Sequence, residues 1–258
     1  MKIGLLTNEI PPIVYGGVAT WILNFLDMFQ DDEDVEIIPI FLAQLDEPPS
    51  DFAERYPGIR IIHGPDDVKN VFADLDACIN NLWVAFETTR TIKKTYPDKL
   101  MISVCHSLIR MEHITNLGGP ITSNYFEQEI TFQYSDVVVL ISEAEKKYYT
   151  SFGYDKYGAS PVVIYNSYTP KLDDESWRPD YSIDDIGYIG RHVPRKRPDL
   201  PIFAVEKSDR KDVRVFNMGV DYRGEQGNPF WEDLGRKHPK QLVIIPFSSN
   251  KETARFYW

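Results

Sequence analysis

From its first residues the chain alternates between short runs that are apolar on both faces and longer stretches with an amphipathic period. Residues 1–6 form an apolar run halted by Thr7, Asn8 and Glu9, and residues 18–29 then carry apolar side chains at helical spacing. This reads as a strand, a glycine-containing loop and a helix. Strands are predicted at 36–42, 59–62, 77–80, 100–105, 136–141 and 161–165, with helices at 85–95, 125–134 and 143–152. Strands apolar on both faces and separated by helices predict a parallel sheet covered on both sides. Ser142, followed three residues later by Glu145, is a capping box that starts the third of these helices.

Residues 168–182 have no apolar period and contain two prolines, the composition of a linker. Beyond them the alternation resumes, with strands expected at 186–189, 213–218 and 242–245 and helices at 199–207, 229–237 and 250–258. The expected fold is α/β with two Rossmann-like domains, 1–170 and 183–258, joined by a linker at 171–182. A doubly wound nucleotide domain closes with five or six strands, so the second domain is expected to be incomplete.

Composition narrows the function classes. With 43% apolar residues in 258 the chain has material for a real core. The first apolar run reaches polar residues too soon for a signal peptide, and no stretch nears the roughly 18 apolar residues of a membrane span, which places the chain in the cytoplasm. Cys78 and Cys105 lie in apolar surroundings and read as buried thiols, not as a disulfide or zinc framework. The net charge of −11 is uneven: residues 1–180 hold 14 Lys+Arg against 28 Asp+Glu, and residues 181–258 hold 14 against 11. An acidic first part opposes nucleic acid, whereas the second part suits a small phosphate ligand.

Three strand-to-helix junctions carry candidate chemistry. Gly16 and Gly17 stand between the first strand and the first helix, where paired glycines let backbone N–H groups approach a phosphate or sugar. His106, in Val104-Cys105-His106-Ser107, ends a strand and can offer its imidazole to a sugar hydroxyl or to developing charge. Arg191 and Lys196 lie in the junction 190–199, where two cations can neutralise a diphosphate leaving group. A nicotinamide-dependent oxidoreductase is excluded because the first loop lacks the Gly-x-Gly-x-x-Gly spacing. Trp83, Tyr125 and Phe126 could stack on sugar faces, although core packing is the expected role.

Taken in order, Pro11-Pro12 with Gly16-Gly17, His106-Ser107, the run Ser135 to Glu143, Val163-Ile164-Tyr165-Asn166 and Gly190-Arg191-x-x-Pro194-x-Lys196-x-x-Asp199 resemble the retaining GT-B glycosyltransferases related to glycogen and sucrose synthesis. The resemblance implies transfer of a sugar from a nucleotide-sugar donor to a hydroxyl-bearing acceptor with retention, without cofactor or metal. It implies Gly16 and Gly17 on the donor phosphates, His106 on the transferred sugar, Arg191 and Lys196 on the diphosphate, and Asn166 at the domain junction. Ser167 replaces the usual glycine after Asn166, and Arg197 takes the usual glycine position after Lys196. The family also places two glutamates seven residues apart in its second domain, and this sequence ends before such a segment. The alternatives are a non-catalytic nucleotide-sugar-binding module and a phage-type glycosyltransferase acting on a modified DNA base.

Overall fold

The computed structural model describes residues 1–10, 17–43, 48–115, 124–166, 185–190, 196–208, 210, 212–218, 233, 235–238 and 242–245. The chain divides into two compact units, Met1–Ser167 and Tyr168–Trp258. In the first, β1 (Lys2–Thr7), α1 (Gly17–Met28), β2 (Glu36–Leu42), α2 (Ser50–Arg55), β3 (Arg60–Ile62), α3 (Val68–Val71) and β4 (Ala77–Asn80) come first in the chain. They are followed by α4 (Phe86–Thr95), β5 (Leu100–Cys105), α5 (Ile109–Thr115), α6 (Asn124–Gln133), β6 (Val137–Leu140), α7 (Glu143–Ser151) and β7 (Ser160–Val163). The seven strands form one parallel sheet in the order β3-β2-β1-β4-β5-β6-β7. The order reverses between β1 and β4, and in open parallel sheets ligands bind at the carboxyl edge beside such a reversal.

The two faces of the sheet bury different side chains because successive residues of a strand point opposite ways. On one face Ile3 and Leu5 of β1, Ala77 and Ile79 of β4, and Ile102 and Val104 of β5 pack with Ile22 and Leu26 of α1. On the other, Leu6, Ile40, Cys78 and Met101 pack against Phe72 and Ile92 around α3 and α4. Gly4 faces this layer, where an added Cβ would come within 2.6 Å of Ile40 Cδ1 and 2.7 Å of Leu75 Cδ1. Farther along the sheet, Val138 and Leu140 of β6 meet Phe132, Tyr149 and Tyr154. Pro39 sits within β2 at no expense to the ladder, because short β3 pairs only with Ile40, Phe41 and Leu42 and leaves the first half of β2 as an edge.

Helices α2, α3 and α5 went unanticipated, since segments of 6, 4 and 7 residues are too short to display a period. Phe126 departs from the expected core role: it is 53% exposed and lies against Tyr125 with ring centroids 3.9 Å apart.

In the second unit β8 (Ile186–Ile189), α8 (Leu200–Lys207), β9 (Val215–Met218) and β10 (Leu242–Ile245) form a parallel three-stranded sheet in the order β10-β9-β8. Ile202 and Val205 of α8 pack on Val213, Val215 and Leu242. The expected linker 171–182 and the helix at 250–258 lie outside the described residues, and of the helix at 229–237 only 233 and 235–237 are described.

Candidate functional site

The reversal point assembles a polar group from three strand ends. β1 ends in Thr7, 1% exposed, whose hydroxyl accepts from the backbone N–H of Glu9 at 3.1 Å. Helix α1 opens at Gly17 with no acidic residue in its first turn, leaving its positive end receptive to an anion. A Cβ at Gly17 would meet nothing within 4 Å. Packing therefore demands glycine at Gly4 but not at Gly17.

Asn80 ends β4 and Asn81 follows it, and the two have opposite fates. Asn80 donates from Nδ2 to Thr89 Oγ1 at 2.9 Å and accepts at Oδ1 from the N–H of Leu82 at 2.8 Å, tying β4 to α4. Asn81 is 5% exposed, yet both its Oδ1 and its Nδ2 are buried without a hydrogen-bond partner. Buried amides are nearly always satisfied, and leaving one polar group unmet costs about 1–3 kcal/mol. The alternation that puts Ala77 and Ile79 on the α1 face carries residue 81 to that same face. Nothing in the sequence pattern distinguished Asn81 from Asn80.

His106 directly follows β5 and continues the Ile102, Val104 alternation toward α1. Its ring meets Trp21 edge-on with centroids 5.2 Å apart, and Trp21 is itself stacked on Phe25 at 4.9 Å. Burial pushes the imidazole down to about 4, so at neutral pH it is uncharged, and its Nε2 is buried without a partner. The turn that presents it is clamped from α6: Gln128 Nε2 donates to the Ser107 carbonyl at 2.9 Å, and Gln128 Oε1 accepts from the Ile109 N–H at 2.9 Å. Ser107 Oγ adds a bond to Glu112 at 2.7 Å. A neutral imidazole held this firmly can exchange a hydrogen bond with a hydroxyl, and it brings no charge of its own.

β6 ends at the capped start of α7, where Ser142 Oγ accepts from the Glu145 N–H at 3.1 Å. The Glu145 carboxylate reaches past the cap residue and accepts from the Ile141 N–H at 3.1 Å, one position earlier than a capping box requires. Burial raises its pKa. Among the described residues no three His, Cys, Asp or Glu side chains gather where a metal ion could be held.

The remaining predicted site residues are spread over separate places. Gly16 and Arg191 lie outside the described residues. Asn166 is exposed just beyond β7. Lys196 is exposed between β8 and α8, and its carbonyl accepts from Tyr188 Oη at 3.2 Å. Next to it Arg197 has φ 46, the left-handed region, and is the non-glycine residue with positive φ among those described. The left-handed region favours glycine, the residue that the sequence resemblance expects at position 197. Arg197 is tied to Asp199 by Nε at 3.0 Å and Nη2 at 2.8 Å.

No family model matches the sequence, and no curated protein does. Solved structures match at the level of the fold. TarM aligns with 98% of this chain over 78% of its own length, with TM-score 0.66 and 10% identity. The trehalose-6-phosphate synthase OtsA aligns with 98% of this chain over 75% of its own length, with TM-score 0.62 and 10% identity. The fold is GT-B. An α-glucosyltransferase solved with UDP-glucose and DNA containing an abasic site shares it, with TM-score 0.57 and 15% identity over 98% of this chain and 69% of that one. In the first unit the strand order reverses between β1 and β4, and His106 meets Trp21 of α1. Among the described residues no helix is long and apolar enough to cross a membrane.

Proposed function

We infer that this chain is a glycosyltransferase that moves a sugar from a nucleotide-sugar donor to an acceptor hydroxyl with retention of anomeric configuration. The observation that carries the reading is the neutral, unpartnered imidazole of His106 at the carboxyl edge of a GT-B first unit, in contact with Trp21 of α1. Support also comes from the likeness to an α-glucosyltransferase holding UDP-glucose and to a trehalose-6-phosphate synthase.

In this reading Gly16 and Gly17 face the donor phosphates, His106 hydrogen-bonds the transferred sugar, and Arg191 and Lys196 take the diphosphate, with Asn166 at the domain junction. The bond from the anomeric carbon to the diphosphate oxygen breaks with its electron pair while the acceptor oxygen bonds to that carbon on the same face, and the acceptor's hydroxyl proton passes to the departing diphosphate oxygen. Stabilising the departing negative charge is the main requirement, and cationic side chains meet it in place of a divalent ion. The enzyme works in the cytoplasm.

A thermal-shift screen against UDP-, GDP- and ADP-sugars identifies the donor, because a ligand that binds only the native state raises its stability by mass action. NMR of the product then gives the anomeric configuration, and transfer is expected to proceed unchanged in excess chelator. Binding of a nucleoside diphosphate with neither transfer nor hydrolysis of any donor would point to a non-catalytic binding module. The α-glucosyltransferase complex with DNA favours a second reading, glucosylation of a modified DNA base. The 28 acidic against 14 basic residues of positions 1–180 weigh against it, since phosphate contacts dominate DNA affinity. A gel shift at low salt decides.

A further inference from the structure

Asn81 is 5% exposed with Oδ1 and Nδ2 both unmet, directly after a residue whose amide is hydrogen-bonded at both its oxygen and its nitrogen. The fold is thus able to satisfy an asparagine at this strand end, and at position 81 it leaves one unsatisfied. We propose that Asn81 is the recognition group of a carbohydrate subsite at the β1/β4 reversal, accepting from one hydroxyl of a vicinal pair through Oδ1 and donating to the other through Nδ2.

The chemistry selects the ligand. A diphosphate or carboxylate offers acceptors alone and would leave Oδ1 unmet, whereas a sugar diol presents a donor and an acceptor on adjacent carbons. The placement selects the partner. Asn80 pairs with Ser103, so Asn81 follows beside Val104, two residues before His106. With strands about 4.8 Å apart and about 3.3 Å of rise per residue, the Cα atoms of Asn81 and His106 stand roughly 8 Å apart on one face. The Nε2 of His106, also buried without a partner, can therefore engage a further hydroxyl of the same ring. That sugar is either the one carried by the donor or one presented by the acceptor. Only this question of source rests on the transferase reading.

The test compares the full chain with its Asn81→Leu and Asn81→Ala variants. Saturation-transfer NMR is run with free glucose, galactose, mannose and N-acetylglucosamine, and calorimetry with UDP-glucose and UDP. Wild type is expected to transfer saturation to ring protons of at least one free sugar, with affinity at least tenfold weaker in both variants. The melting temperature of Asn81→Leu should rise by about 2–4 °C, because an unmet amide is replaced by a similar apolar volume. If the sugar belongs to the donor, UDP-glucose loses affinity in the variants while UDP does not. If it belongs to the acceptor, both nucleotides bind as before and free-sugar binding alone is lost. Sugar binding that depends on Asn81 in a chain that binds no nucleotide sugar upholds the subsite and removes the transferase reading. Unchanged sugar binding in the variants, no binding of any free sugar to wild type, or Asn81-dependent binding of adenosine in place of sugar overturns the proposal.

Discussion

His106 makes the chain sensitive to mild acid, and the sign and size of the effect follow from its surroundings. Burial lowers its pKa from 6.5 to about 4, so the native state refuses a proton that the unfolded chain accepts. The stabilisation is complete above about pH 6.5 and is lost as pH falls toward 4. At pH 5 the unfolded histidine is about 97% protonated and the native one about 10%, a difference in proton binding that favours unfolding by about 30-fold, or about 2 kcal/mol. Glu145 acts in the opposite direction: its raised pKa means that lowering pH protonates the native carboxyl first and favours the fold. The two are separated by His106→Gln, which retains a hydrogen-bonding side chain that does not titrate. Urea unfolding at pH 7 and pH 5 should show wild type losing about 2 kcal/mol more than His106→Gln over that interval. In parallel, the His106 ring signals in an NMR titration of histidine-labelled protein should have their midpoint near pH 4. A midpoint between 6 and 7, or equal acid losses for the two proteins, would refute the argument that burial keeps this ring neutral.

Lys196→Ala should bind the donor about 10- to 100-fold more weakly, the range for losing a charge-assisted hydrogen bond, with an unchanged melting temperature because the side chain is exposed; calorimetry and thermal shift on one sample check both. Gly17→Ala should leave stability equal or slightly higher and weaken donor binding, since an added Cβ has open space in the free protein. Gly4→Ala should destabilise by about 1–3 kcal/mol in urea titration, because its Cβ would press on Ile40 and Leu75. Ser142→Ala removes the cap of α7 and should lower stability by about 1 kcal/mol.

The layered α/β architecture was legible because strands buried on both faces and helices with one apolar stripe leave different periods in the chain. The runs at 100–105 and 242–245, for instance, were read to the residue. The cap of α7 was equally legible, since Ser142 and Glu145 follow a local spacing rule. His106 stood out because a titratable residue ended an apolar strand. Its neutrality did not show, because burial under Trp21 is made by residues far away in the chain. Asn81 was invisible for a related reason: what separates it from Asn80 is the face to which each points, and only the packed sheet assigns a partner such as Thr89 to one of them. Arg197 lies between these cases. Its departure from the glycine pattern was evident in the sequence, and the left-handed backbone that gives the departure meaning required the structure.

The twin asparagines at the end of β4 also bear on how this protein would respond to selection for heat resistance. A screen that rewards survival at high temperature would reject changes at Asn80, which staples a strand to a helix, and enrich apolar replacements one position later, where the native residue weakens the fold. Hardier descendants would thus be gained at a place where the wild-type chain holds hydrogen-bonding capacity in reserve, and a library sorted on stability alone would discard it first.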